Sequence, residues 1–96
     1  MTKEEAICQF VSLLDEMISE FERILKEDQQ SGEATSTNMT EKFLNNFLRL
    51  RQAALDGTLH PSRGSGMGAS KAMSEYQFYE QYDLAAKIDD FCRTHL

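Results

Sequence analysis

Ninety-six residues suit one folding unit, and 41% apolar with 27% charged residues mark a chain that folds rather than stays disordered. No apolar run approaches the ~20 residues of a membrane span, and the acidic start "MTKEEAICQF" lacks the basic, apolar character of an export signal, so the expected compartment is the cytoplasm. The net charge of −6 is uneven: −7 over residues 1–41 (three basic, ten acidic), +4 over 42–71 (five basic, one acidic) and −3 over 72–96 (two basic, five acidic).

The first element is the clearest. Ile7, Phe10, Leu14, Met17, Phe21 and Ile24 recur at spacings of three and four, which lines up one apolar face of a helix. Val11, Ile18 and Leu25 widen that stripe enough to meet two neighbours. Thr2 followed by Glu5 makes a capping box, so the helix is expected over about residues 3–27. The stretch 28–39 contains no large apolar residue until Met39 and is rich in turn formers; it reads as a flexible connection.

A second helix is expected over 40–56, with Thr40 as its N-cap and Gly57 as its stop. Phe43, Leu44, Phe47, Leu48, Leu50, Ala54 and Leu55 give it a broad apolar face. Arg49 and Arg51 are two residues apart, about 200° on a helix, so they project to different sides. Residues 57–70 read as a second flexible connection. A third helix is expected over 71–95, with Ser74 and Gln77 offering a capping box near its start. Its apolar stripe shifts near "QYD", which allows a break at 81–83 and four short helices in place of three. No segment alternates as a strand does. The fold class is all-α, a small three-helix bundle, and the domain spans 1–96.

The stretch "HPSRGSGMGASK" has some ingredients of an anion loop: Gly64, Gly66 and Gly68 before a helix start, with Arg63 and Lys71 beside them. It lacks the Gly-Lys-Ser/Thr ending of a phosphate loop, its glycine spacing is short, and no strand precedes it; a glycine–serine tether accounts for it more simply. The basic middle block is thin for nucleic acid, and the acidic remainder repels a polyanion. Packing of helix two against acidic neighbours explains that block instead.

Cys92 and His95 sit three apart, with Cys8 and His60 as remote companions, but a structural zinc site needs two short-spaced pairs. The expected state of Cys8 and Cys92 is reduced and mostly buried. Paired carboxylates, Glu16 with Glu20 and Glu80 with Asp83, would serve magnesium if they met across a bundle. Their flanks do not match those of the all-α nucleotide pyrophosphohydrolases that bind magnesium this way. No nucleophile–base arrangement emerges either, since neither histidine has a neighbour to orient it. No catalytic residue, metal, cofactor or small-molecule ligand is therefore expected.

What remains is a small acidic interaction module of the adaptor, inhibitor, immunity or chaperone kind. It would act by surface binding on a protein partner or a second copy of itself. Tyr76, Tyr79 and Tyr82 share one face of the expected third helix and combine apolar rings with hydroxyls that stay wet. Asp15, Glu16 and Glu20 would steer a basic partner to the surface. The alternative is a helical metal-dependent enzyme, or an anion- or nucleotide-binding domain, built on the helix carboxylates or the Gly64–Gly68 loop.

Overall fold

A computed structural model describes residues 2–31, 34–58 and 69–95, with side chains described from 2–30, 38–58 and 69–95. These residues form α1 (Lys3–Ser31), α2 (Ala34–Asp56), α3 (Ala69–Glu75), a 3-10 turn (Tyr79–Gln81) and α4 (Tyr82–His95). The fold is all-α, and among the described residues there is no strand.

Helix α1 is the spine. Its 29 residues rise about 43 Å at ~1.5 Å each, which accounts for the 44 Å long axis of the molecule. Thr2 Oγ1 accepts the N–H of Glu5 at 3.1 Å and caps its start, the N-cap half of the predicted capping box. Phe10, Leu14, Met17 and Phe21 are fully buried along it. On one side α2 packs back along α1 as a hairpin; on the other, α4 lies against it, with α3 folded onto α4. Phe47 and Ala54 enter the core from α2, Met73 from α3, and Ala85, Ile88 and Cys92 from α4. Each large side chain removed from water here contributes about 1.5–3 kcal/mol.

Three expectations fail in instructive ways. Residues 28–39 are not a long connection: α1 runs on to Ser31 and α2 begins at Ala34. Thr40 is no N-cap; it lies inside α2, fully buried, and donates from Oγ1 to Asp28 Oδ2 at 2.8 Å. That bond crosses the hairpin and satisfies polar groups near its closed end, so the helices continue through a composition that favours turns.

The third helix is not one helix. It starts at Ala69, breaks at Tyr76–Phe78 and resumes through the 3-10 turn into α4. The break falls before the 81–83 position allowed by the stripe shift. Ser74 and Gln77 do not open a helix but sit where α3 closes: Phe78 N–H bonds Met73 C=O at 2.8 Å and Gln77 N–H bonds Ser74 C=O at 3.4 Å. With Gln77 at φ +64°, this is a Schellman stop. Helix α2 stops the same way, with Thr58 N–H on Ala53 C=O at 3.0 Å and Gly57 at φ +74°. Gly57 does what its sequence position predicts.

The start of α3 is held from outside. Asp89 on α4 accepts the N–H groups of Ala69 (3.1 Å) and Ser70 (2.9 Å) and the Ser70 hydroxyl (2.8 Å). A carboxylate here satisfies donors that a helix start leaves open and complements its positive end. Cys8 is exposed and Cys92 buried, and both are free thiols, so only one matches the buried expectation. Burial pushes the Cys92 thiol up from its ordinary pKa, with nearby Asp89 adding to the shift.

Candidate functional site

The corner between α3 and α4 is where the chain leaves aromatic surface uncovered. Phe78 follows the positive-φ Gln77 and turns inward, edge-on to Phe21 at 5.0 Å and to Phe43 at 5.7 Å between centroids. Pinning Phe78 inside throws its neighbours outward. Tyr76 remains 48% exposed with its ring edge-on to Phe43 at 5.4 Å; Tyr79 is 65% and Tyr82 43% exposed. The tyrosines thus occupy a turn and the start of α4, not one face of a continuous helix. They are nonetheless the exposed members of the described phenylalanines and tyrosines.

The α1 carboxylates divide. Asp15 Oδ1 accepts from Arg51 Nε on α2 at 2.6 Å, an exposed pair that spans the hairpin. Glu20 pairs with Arg23 at 2.7 Å, and Arg23 also reaches Glu27 at 3.1 Å. Hydrogen bonds to Glu20 and then Glu27 raise the Arg23 pKa above its ordinary value, so the guanidinium is a fixed charge there. Glu16 is exposed beside this cluster, in an open groove with Ser19 and Leu84. Because Glu20 is already engaged by Arg23, the pair Glu16–Glu20 does not present two free carboxylates to a cation. Among the described residues no group of three or more His, Cys, Asp or Glu side chains converges as metal ligands do.

Arg51 and Arg49 separate as their spacing predicts: the first bridges to α1, the second is exposed. Of the anion-loop residues, Arg63, Gly64, Gly66 and Gly68 lie outside the described residues, as does His60. Lys71 is in α3 and lies 3.9 Å from Glu75 of the same helix.

A second open groove runs between α1 and α4, lined by Leu13 and Phe91 and by the polar Gln9, Ser12, Lys87 and Asp90. Phe91 stacks on Phe10 at 6.4 Å and lies 4.7 Å from the His95 ring, which fills one end. Asp90 pairs with Arg93 on its own helix. Its ionisable groups carry both signs and none is aimed at a common point. No protein-family model, curated protein or solved structure matches this chain.

Two features escaped sequence reasoning. The inward turn of Phe78 depends on Gln77 taking a backbone conformation that sequence assigns to glycine or asparagine. The second is the exposure of Leu48 and Leu55, 43% and 53%, since periodicity alone places both in the α2 core stripe. The signal was there: that stripe is wider than one neighbouring helix covers.

Proposed function

We infer that the chain is a protein-interaction module whose working part is its exterior, centred on the corner that presents Tyr76, Tyr79 and Tyr82. The observation that carries this reading is the exposure of all three rings on a corner that half-buried Phe78, packed edge-on to Phe21, fixes in place. Tyrosine supplies a large rigid contact area at small entropic cost and keeps a hydroxyl for hydrogen bonding, which is why it anchors interfaces. A preset corner also loses little freedom on binding. The acidic exterior of α1, including Asp15, Glu16 and Glu20, steers partners with basic surfaces toward the molecule.

A photo-crosslinking residue at position 79, introduced into the chain in its source cells, tests this. The expected result is one discrete adduct that disappears when Tyr76 and Tyr82 are changed to serine. An adduct of twice the chain's mass identifies a second copy as the partner. A diffuse smear, unchanged by those substitutions, would overturn the reading.

A further inference from the structure

We propose that the α1–α2 face is a second docking surface, and that its occupant is a basic amphipathic helix of a partner protein. The proposal shares with the reading above the idea that the chain works by binding and the acidic exterior of α1, Asp15 included; its apolar contacts are different residues.

Leu44, Leu48 and Leu55 recur at spacings of four and seven, a seam along the outer flank of α2. Leu48 and Leu55 are the exposed aliphatic side chains of the described residues, at 43% and 53%. Beside them runs α1: Arg51, in the same seam, reaches Asp15, and Leu55 shares an open groove with Ile7, Cys8 and Glu4. Two antiparallel helices with an uncovered apolar seam leave a furrow that a third helix fills by ordinary ridge-and-groove packing. The seam is about 16 Å long, some three helical turns.

Charge selects the partner. Glu4, Asp15 and Glu22 line the α1 side, and Glu41 flanks Leu48 on α2, all of them exposed. Against these four stand Arg51, which is engaged by Asp15, and Lys26 at the far end. Glu4, Glu22 and Glu41 make no ion pair among the described residues. Lys42 and Arg49 are turned away from Leu48 by roughly 100° or more around α2. A nucleic acid or an anionic membrane is repelled by this face. A second copy is disfavoured too, because a two-fold contact sets the same carboxylates against each other. A helix with leucines on one stripe and lysines on its flanks meets both requirements.

The test uses the full chain and three synthetic peptides of about 16 residues, long enough to cover the seam. One has a leucine seam with lysine flanks, one is its scramble, and one carries glutamate in place of lysine. Binding is read by fluorescence anisotropy and located by amide chemical shifts. The expected result is that only the basic helix binds, with shifts centred on Leu48 and Leu55. L48S/L55S should weaken it by about tenfold or more, given the apolar area lost at the contact. E4Q/E41Q should flatten its salt dependence. Y76S/Y79S/Y82S should leave it unchanged, which separates this surface from the tyrosine corner. Circular dichroism checks that the leucine variant keeps its helices, as substitutions at exposed positions should. Equal binding of the scramble, no binding of any peptide, or shifts centred elsewhere would overturn the proposal. So would a dimer that dissociates in L48S/L55S, since the second copy would then be the occupant.

Discussion

Helices α2 and α3 end in the same backbone motif, one on Gly57 and the other on Gln77. At Gly57 nothing lies within 4 Å of where a Cβ would sit, and the chain simply stops being helical on the residue best suited to the left-handed conformation. At Gln77 the same conformation is imposed on a residue that resists it. The compensation is packing: the next residue, Phe78, closes the motif and enters the ring cluster of Phe21 and Phe43. The first stop is written locally, the second by the tertiary core. Since the second stop creates the tyrosine corner, the proposed binding surface depends on long-range packing rather than on local turn chemistry.

The most damaging way to break this comparison is Phe78→Ala. Removing a half-buried ring should cost about 2–3 kcal/mol and lower the melting temperature by roughly ten degrees or more. Helix content should not fall in proportion, because residues 69–95 without that anchor lose the reason to bend. A drop confined to a few tenths of a kcal/mol would show that the corner is set locally after all.

Asp89→Ala comes next, at about 1–2 kcal/mol, because it strips a carboxylate that holds two backbone donors and a hydroxyl at the start of α3. Cys92, buried beside it on α4, reports the effect. Alkylation under native conditions should modify Cys8 at once and Cys92 slowly, and Asp89→Ala should accelerate only the second. Equal rates at both thiols in the parent chain would contradict the packing described.

The smallest effects sharpen the contrast most. Gly57→Ala should destabilise by about 1 kcal/mol through backbone strain alone, as there is room for the methyl group. Gln77→Gly should do the reverse and stabilise by roughly 0.5–1 kcal/mol. Denaturant midpoints moving in opposite directions verify the pair; the same direction for both refutes it.

Much of the fold was legible. The three-and-four spacing from Ile7 to Ile24 gives α1, Thr2 gives its cap, and Gly57 gives the end of α2. The failures share one cause. Residues 28–39 carry turn formers, yet the hairpin's own packing, with buried Thr40 bonded to Asp28, keeps both helices going past Asp28 and before Thr40. Residues 76–78 carry nothing that forbids a helix, yet the ring cluster bends them. In both places tertiary contacts outweigh local propensities of a few tenths of a kcal/mol per residue. The tyrosines and the α1 carboxylates were legible as candidates, but the corner that displays the rings was not. Nor was the engagement of Glu20 by Arg23 and of Asp15 by Arg51.

Hydroxyl-radical footprinting compares the tyrosine corner in isolation and at work. In dilute purified chain, Tyr76, Tyr79 and Tyr82 should oxidise readily and the buried Phe10 should not. In concentrated extract of the source cells, the three tyrosines should become protected together while an exposed ring that neither proposed surface uses, His95, keeps its reactivity. Identical oxidation of all three rings in both settings would contradict the account.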